Sequence, residues 1–433
     1  MQQIYKIALL LLIGFSTQAQ EVLTLEDALK MALENNYDIK IATNNSKIDA
    51  TNNSLARAGM LPTLNANLTN SNSILDTKQT QADGSIRELD GAKNMNLSYG
   101  VGLDWTIFDG LSMFARKEQL NVLEQQGKTE LQTAILNKIS DVYVTYFDLV
   151  QQQQVLASID TAIVISNQRL NTAQNRFSIG KASKLEVLNA QVDLNSDLSL
   201  LLKQKEAYRI TKIRMNELLI RELQTDFSVN EEINFDQNLD FNELTITAQK
   251  QNPILQSQIL TKKVADLNLK QIKGNRYPTV RLTSGYNFTR SESSLGFITE
   301  SSGKGFVYGV TATVPIFNGF LQNKNEKIAK YQVENAGLVL EQQKLSLETQ
   351  LASLYATYQT NLELVKVEEK NIEIAKQNLD ITLAKFKIGT ITTVEFRTAQ
   401  QNYVEASVRY SNAQYVTKIS EINLKELAGT LSF

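Results

Sequence analysis

The chain of 433 residues contains no cysteine and no histidine. Without cysteine it forms no disulfide, offers no thiolate to a metal and has no N-terminal cysteine for lipid attachment. Without histidine it lacks the commonest general base and the commonest metal ligand. No pair of acidic residues stands out at a spacing that suggests a carboxylate-only site, and the net charge of −2 comes without a basic stripe. We therefore expect no enzyme, no metal, no cofactor and no nucleic-acid partner.

Beyond the first residues, the sequence also contains no long hydrophobic run. Lys6 precedes an apolar run over 7–15, and small and polar residues at 16–19 suit cleavage. This is the pattern of a secretory signal peptide over 1–19 rather than a buried N-terminal helix. No later stretch approaches the roughly 20 apolar residues of a transmembrane helix. We expect the mature chain either to be soluble outside the inner membrane or to enter a membrane as a β-barrel.

Proline is scarce, with only four residues in the chain. Pro62 and Pro278 stand at corresponding positions in the two halves of the chain. Pro253 opens a helical run, and Pro315 lies directly before the IFNG sequence at 316–319. Because proline is confined to boundaries, we predict uninterrupted helices over 111–177 and 320–386, each roughly 100 Å long at about 1.5 Å per residue. An apolar seam with a spacing of three and four predicts a packed helical array. Its members are Leu347, Leu351, Leu354, Tyr358, Leu362, Val365, Ile372, Leu379, Leu383 and Phe386.

The chain contains an internal duplication. Residues 176–191 read RFSIGKASKLEVLNAQ and residues 385–400 read KFKIGTITTVEFRTAQ, with Phe, Ile, Gly, Glu, Ala and Gln at matching places. Two further motifs recur in the same order: LPTL at 61–64 with YPTV at 277–280, and IFDG at 107–110 with IFNG at 316–319. Two copies of one structural unit are expected, a first repeat over 20–226 and a second over 227–433. The copies differ where Val187-Leu188 faces Phe396-Arg397.

Four segments alternate between apolar and polar residues, which is the pattern of β-strands. They are 63–69, 94–105, 280–288 and 306–314. A fibrous coiled coil made only of helices does not account for this alternation. The polar segments 71–93, with Asp-Gly at 83–84, and 290–303 are predicted to be exposed loops at the tips of two hairpins.

The strands favour a membrane barrel over a water-soluble sheet. Their apolar faces are rich in aromatic residues, and their polar faces carry the small Gly, Asn, Ser and Thr residues expected around an aqueous lumen. Four strands cannot close a barrel alone, and open edges are not tolerated in lipid, so closure must come from other copies. The predicted fold is mainly α with a membrane β-barrel part built between subunits. A membrane aromatic belt is expected at Tyr99, Trp105, Tyr286, Phe288, Phe306 and Tyr308.

The duplicated plan of helix, strand pair and helix, together with the repeated motifs, resembles the TolC-like outer membrane efflux proteins, the outer membrane factors. The resemblance implies a homotrimer in which four strands per chain complete a 12-stranded β-barrel in the outer membrane lipid of a Gram-negative bacterium. Long antiparallel helical hairpins would form an α-barrel across the periplasm. Such a protein is the exit duct of a tripartite efflux or type I secretion system. It conducts substrates passively from an inner-membrane RND or ABC pump through a periplasmic adaptor, the membrane fusion protein. The alternative is a periplasmic helical scaffold anchored at the outer membrane without transport activity.

The ends of the two helical hairpins carry the sharpest predictions. Gly180 and Gly389 follow long helices, where a residue free to adopt positive φ is needed. A hydroxyl residue three positions before a glutamate then gives the capping-box spacing in each copy. A well-capped helical turn explains these residues by itself, and the resemblance adds that the tips contact the adaptor. The predicted contact residues are Ile179, Gly180, Ser183, Ile388, Gly389 and Thr392.

The resemblance also places a periplasmic gate near these tips. The predicted gate or constriction residues are Phe177, Glu186, Phe386, Ile391, Glu395 and Thr398. Glu186 and Glu395 would give a trimer an acidic ring that attracts cations, unless they only cap their helices. The sequence departs from the family pattern, since phenylalanine stands where tyrosine is common, Ile391 replaces an arginine and Thr398 replaces an acid. An apolar constriction at Phe386 and Ile391 is the expected substitute.

Overall fold

The computed structural model describes residues 21–229, 233–295 and 298–431, so the predicted signal peptide lies outside the described residues. Within these ranges the chain forms eight helices and six strands. In order they are β1 Glu21–Val22, α1 Leu25–Asn35, α2 Tyr37–Asn52, β2 Thr63–Thr80, β3 Ile86–Asp109, α3 Ser112–Ser178, α4 Lys184–Leu218, β4 Phe227–Ser228, α5 Phe241–Gln251, α6 Pro253–Gly274, β5 Thr279–Ser293, β6 Glu300–Thr313, α7 Leu321–Ile388 and α8 Thr393–Ala428.

The chain divides into two compact units, and each draws on both sequence repeats. Among the described residues, the first unit takes those up to 44 together with those in 130–256 and those from 343 onward, and the second takes those in 45–129 and 257–342. In the first unit β1 pairs in parallel with β4, and a hydrophobic core surrounds the fully buried Tyr146. The hydroxyl of Tyr146 donates to the carbonyl oxygen of Leu23 at 3.0 Å. None of the helices in the described ranges combines the length and apolar character that a membrane crossing requires.

The two predicted long helices are confirmed to within two residues at each end, as α3 and α7. The apolar seam of α7 is also confirmed, because Leu351, Tyr358, Leu379 and Phe386 are all at most 3% exposed. Residues seven apart return to one face of a helix that packs against others, so the spacing alone identified the buried side.

The repeated Ile-Phe-Asp/Asn-Gly motif produces the same turn twice, both times in the second unit. Gly110 and Leu111 have φ of 69° and 70°, and Gly319 and Phe320 have φ of 66° and 63°. Two consecutive left-handed residues turn the chain sharply into each long helix. The side chains of Asp109 and Asn318 then accept hydrogen bonds from backbone N–H groups of the first helical turn, at 2.9 and 3.3 Å. A left-handed non-glycine residue is strained, and the side-chain cap offsets part of that cost.

The four long strands form one antiparallel sheet in the second unit, in the order β2-β3-β5-β6. Residues directly opposite each other share a face, so the register defines the two surfaces. Tyr99 lies opposite Phe288, and Tyr286 lies opposite Phe306. All of the aromatic residues predicted for the belt therefore share one exposed or half-exposed face. The other face carries small and polar residues, with Val307 as an apolar exception opposite Gly285.

The extent of the strands corrects one prediction. Residues 71–80 and 86–93, predicted to be loop, belong to β2 and β3, and only 81–85 turn the chain. Likewise 290–293 and 300–303 belong to β5 and β6. Polar strands are stable here because the antiparallel ladder satisfies their backbone groups and Ser and Thr fit a pleated sheet. The predicted Asp-Gly turn is present, with Gly84 at φ 81°.

Candidate functional site

The candidate site lies at the ends of two helical hairpins in the first unit. The first hairpin consists of α3 and α4, and the second of α7 and α8. Gly180 and Gly389 have φ of 73° and 85°, which confirms the predicted left-handed residues. In both copies the residue after this glycine donates its N–H to a carbonyl five positions earlier, from Lys181 to Arg176 at 2.8 Å and from Thr390 to Lys385 at 3.1 Å. This is the Schellman end of a helix.

The helix starts that follow are capped in different ways. Thr392 Oγ1 accepts from the N–H of Glu395 at 3.2 Å, and the Glu395 carboxylate accepts from the N–H of Thr392 at 3.0 Å, which completes a capping box. Ser183 caps the N–H of Glu186 at 3.3 Å. The Glu186 carboxylate lies 3.9 Å from the guanidinium of Arg176. One of the two predicted gate glutamates therefore caps its helix and the other faces an arginine.

Arg176 joins the end of the first hairpin to the end of the second. Its guanidinium carbon lies 5.6 Å from the centre of the Phe386 ring, a distance at which a cation is attracted to the face of an aromatic ring. A Cβ placed on Gly389 would overlap Nη2 of Arg176. The absence of a side chain at residue 389 thus makes room for a residue from the other hairpin.

This contact predicts that two similar glycines respond differently to substitution. Gly180→Ala should lower the free energy of unfolding by about 1 kcal/mol, because alanine is strained at positive φ. Gly389→Ala should lower it by about 2 kcal/mol, because it also displaces Arg176 from Phe386. Gly180 is a matched control, since no described atom lies within 4 Å of a Cβ placed there. Thermal unfolding of the two variants measures the difference, and equal losses would contradict the role of Arg176.

Phe386 lies inside the hairpin pair rather than on its surface. It is 1% exposed and stacks on Phe396 with ring centres 5.0 Å apart. Ile391 and Ile165 pack against the same cluster. The structure thus brings Phe386 and Ile391 together as predicted, but as part of a core. Their part in a constriction stays a prediction.

The other predicted residues of the tips and the gate are dispersed. Phe177 is partly exposed under the ammonium group of Lys184, which lies 5.6 Å from its ring centre. Thr398 is exposed and donates to the carbonyl oxygen of Val394 at 3.0 Å. The six residues predicted to contact an adaptor are all exposed: Ile179, Gly180, Ser183, Ile388, Gly389 and Thr392.

A buried polar cluster behind these tips was not predicted. It gathers side chains from three helices: Ser166 and Arg169 of α3, Asp193 and Asp197 of α4, and Arg397 and Gln400 of α8. Two of its residues belong to the second repeat and four to the first. The sequence contained one indication of this cluster: Arg397 stands where the other repeat has Leu188.

Arg397 is the centre of this polar cluster. Its two terminal nitrogens donate to the two carboxylate oxygens of Asp197 at 2.9 and 2.8 Å, a bidentate pair. Ser166 Oγ donates to Asp197 at 2.5 Å, and Gln400 Nε2 donates to Ser166 Oγ at 2.7 Å. Burial disfavours the charged form of Arg397, but the hydrogen bond and charge of Asp197, aided by Asp193, outweigh it and raise the pKa. The guanidinium is therefore held in its charged form.

The second ion pair of the cluster joins the two helices of the first hairpin. Arg169 is only 3% exposed, and its Nη1 donates to Asp193 at 2.5 Å. Asp193 also lies 3.6 Å from Nε of Arg397. Two arginines and two aspartates thus balance in charge. On the solvent side, Asp197, Lys203, Arg397 and Glu405 line an open groove of about 360 Å³.

The predicted aromatic belt lies on the sheet of the second unit. Tyr99 stacks on Phe288 with ring centres 5.0 Å apart, and Trp105 Nε1 donates to the carbonyl oxygen of Met60 at 2.9 Å. Along β5 the apolar face runs from Val280 to Phe288. It ends at Arg290, which pairs with Glu292 and Glu300 at 2.8 and 3.0 Å. The span from 280 to 290 matches the roughly 9–11 residues of a tilted membrane strand.

Known proteins resemble the chain over most of its length. The family described as outer membrane efflux protein matches residues 28–219 and 244–430. The outer membrane protein TolC of Salmonella enteritidis is 22% identical over 388 residues, which cover 87% of this chain and 76% of TolC. The structure of VceC from Vibrio cholerae has a TM-score of 0.78 at 15% identity and covers 94% of this chain and 96% of VceC. The CmeC outer membrane channel of Campylobacter jejuni has a TM-score of 0.74 at 18% identity, covering 94% and 85%. The two solved structures have the same fold.

Proposed function

The chain belongs to the outer membrane efflux protein family, and from that premise we propose that it is a homotrimeric exit duct that conducts substrates passively. Membership in the family makes it an outer membrane protein rather than an enzyme. The proposal adds that three chains together form the channel. It also adds that an inner-membrane pump, of the RND or ABC class, delivers substrates through a periplasmic adaptor.

The observation that carries the proposal is the incomplete sheet. The strands β2 and β6 lie at its two ends, so each has one strand neighbour in the described chain. Its aromatic face is exposed, with Phe306 at 64% and Tyr308 at 77%. A sheet with open edges and an apolar face is not stable in lipid or in water, but it becomes stable when closed with other copies in a membrane. Three chains of four strands give a 12-stranded barrel whose polar face lines the lumen.

Exposed apolar stripes on two long helices support assembly of the hairpins as well. On α7, Val367, Ile374 and Ile381 recur at intervals of seven and are 53–63% exposed. This stripe faces away from the buried seam, because its members lie two positions from seam residues and two positions correspond to roughly 200° around a helix. On α4, Leu185, Leu188 and Val192 are also exposed. Heptad stripes of this kind pack against a helix of another chain.

Replacement of one stripe residue tests the assembly. Ile381→Asp should convert detergent-solubilised trimers into monomers, because the interface would bury an unpaired carboxylate. The mass of the solubilised particle is measured by light scattering. Gln359→Asp introduces the same carboxylate at an exposed position off the stripe and should leave the trimer intact. A monomer from both variants, or from neither, would count against the stripe as an interface.

Channel formation tests the proposed function itself. Purified trimers in planar bilayers should give discrete conductance steps, because a closed barrel holds an aqueous lumen. A protein that never conducts, and that salt or urea washes from the outer membrane, would instead be a scaffold without transport activity.

The hairpin tips are the proposed contact with the adaptor. Ile179 and Ile388 are 66% and 76% exposed at the two ends. Isolated exposed isoleucines are common, but here one stands next to the left-handed glycine of each copy. A matched apolar residue at the end of each hairpin gives a partner protein two similar points of contact per chain.

A further inference from the structure

The sheet consists of two β-hairpins that repeat each other in register. The LPTL and YPTV motifs set β2 and β5 at an offset of 216 residues, and the IFDG and IFNG motifs set β3 and β6 at an offset of 209. Thr63 lies opposite Asp104 in the first β-hairpin, and their equivalents Thr279 and Thr313 lie opposite each other in the second. The agreement continues along β2 as far as Leu75. The two β-hairpins are therefore equivalent building blocks.

The join between these blocks shows how one β-hairpin follows another. The second strand of the first β-hairpin, β3, pairs with the first strand of the second, β5. At its two edges the sheet presents the same two kinds of strand, β6 and β2. A head-to-tail contact closes a ring when every copy meets the next in the same way. The β3–β5 join is therefore a template for the contact between β6 of one chain and β2 of the next.

The IFDG and IFNG motifs show that β6 lacks such a neighbour in the single chain. Phe108 and Asp109 of the first motif are part of β3 and pair with β5. The equivalent Phe317 and Asn318 lie beyond the end of β6 at Thr313, and Phe317 is 74% exposed. The same motif thus continues a strand where a neighbouring strand is present, and does not where the neighbour is missing.

We propose that β6 of one chain pairs with β2 of the next chain in the register of the β3–β5 join. This rests on the proposed function, which supplies the neighbouring chains. When the two offsets are applied to the join, apolar residues of β6 meet the lipid-facing positions of β2. The resulting pairs are Phe306 with Ile74, Tyr308 with Asn72, Val310 with Asn70, Ala312 with Leu68 and Val314 with Ala66.

One pair in this register joins opposite charges. Met95 lies opposite Glu292 in the join, and their equivalents are Lys304 and Asp76 of the next chain. Both of these side chains are exposed. Within the described part of the chain neither forms an ion pair. One carboxylate oxygen of Asp76 accepts from the N–H of Gly91 at 2.7 Å, and the proposed ion pair uses the other oxygen.

Neighbouring registers between β6 and β2 are less favourable. A shift by one residue would turn the apolar side chains of β2 away from lipid. A shift by two residues in one direction would place Lys304 opposite Lys78, and like charges directly opposite each other are destabilising. A shift by two in the other direction would place Lys304 opposite Ile74 and leave Asp76 without the lysine.

Disulfides between chains measure the register, because the sequence contains no cysteine of its own. In the proposed register Val307 lies opposite Ser73 of the next chain. Ser73→Cys is combined in turn with Gly305→Cys, Val307→Cys and Gly309→Cys, which share one face of β6. The Cα atoms of directly opposite residues are about 4.5–5.5 Å apart, whereas those of diagonal neighbours are about 7–8 Å apart. A disulfide spans the first distance but not the second.

The readout is the yield of covalent trimer on a non-reducing denaturing gel. Val307→Cys with Ser73→Cys should give roughly tenfold more of it than either of the other combinations. A larger yield with Gly305→Cys or Gly309→Cys would overturn the proposed register, and so would the absence of any cross-link in trimers that conduct. Reduced protein that neither forms trimers nor conducts would instead refute the proposed function.

Exchange of the two charges tests the ion pair separately. Lys304→Glu should make the solubilised trimer dissociate about threefold faster on heating, because two carboxylates then lie opposite each other. Lys304→Glu together with Asp76→Lys should dissociate more slowly than either single variant, since the pair is restored in reverse. Lys78→Glu is the control, because the partner of Lys78 is Glu88 of the same β-hairpin. A double variant no slower than both single variants, or an equal effect of the control, would overturn the proposed pair.

Discussion

Replacement of Phe306 by arginine is expected to prevent stable insertion into the outer membrane. Phe306 lies opposite Tyr286, near the middle of the apolar face of the sheet. An arginine facing lipid near the middle of a barrel costs about 2–4 kcal/mol. In the proposed trimer, three such residues would enter one barrel. We expect little trimer in urea-washed outer membranes, measured by immunoblot of the membrane fraction.

Val307→Arg is the matched control for this experiment. The two residues are neighbours on β6, both apolar and similarly exposed, at 64% and 61%. Val307 lies opposite Gly285, on the face that carries small and polar residues. In the proposed barrel an arginine on that face would enter the aqueous lumen, so Val307→Arg should insert normally and alter conductance. Equal insertion of both variants would show that the apolar face does not contact lipid.

Replacement of Arg397 by alanine is expected to give the largest loss of stability at the hairpin ends. The variant leaves the Asp197 carboxylate largely buried and without its bidentate partner, and it removes a charge 3.6 Å from Asp193. Removal of one partner from a buried ion pair costs about 3–5 kcal/mol. The midpoint of thermal unfolding of the solubilised protein should fall accordingly.

Arg409→Ala, on the same helix as Arg397, is the control that tests whether the loss of stability comes from the burial of the ion pair rather than from the loss of any paired arginine. Arg409 pairs with Glu368 at 3.2 Å, but its side chain is 51% exposed. A pair of this kind contributes up to about 1 kcal/mol, because water screens the two charges. The unfolding midpoint of Arg409→Ala should therefore stay close to that of the unsubstituted protein. A similar fall in both variants would contradict a special role for the Arg397 cluster.

Much of the fold followed from local patterns. The scarcity of proline predicted α3 and α7, and the seven-residue spacing identified the buried face of α7. Alternation predicted all four long strands, although it did not extend over 71–93, where the regular alternation of apolar and polar side chains is lost. The repeated glycines predicted two left-handed helix ends. These features depend on residues a few positions apart or on a simple period that repeats along one element.

The candidate site was only partly predictable. Glu395 and Thr392 form the capping box that their spacing indicated, because a cap is made within three residues. Phe386 was predicted to line a constriction, and the chain buries it against Phe396. The Arg397 cluster was not predicted, although the mismatch with Leu188 in the other repeat marked its position.

The sequence by itself determined the repeat, the helix and strand periods, the turn glycines and the absence of thiol and imidazole chemistry. Only the tertiary structure decided that β3 pairs with β5 and that Arg397 meets Asp197. It also decided that the two β-hairpins extend as far as Thr80 and Glu300. The reason is sequence separation. A period or a cap is encoded by residues a few positions apart, whereas Asp197 and Arg397 are 200 residues apart. Their meeting depends on how four helices pack, and no local pattern records that.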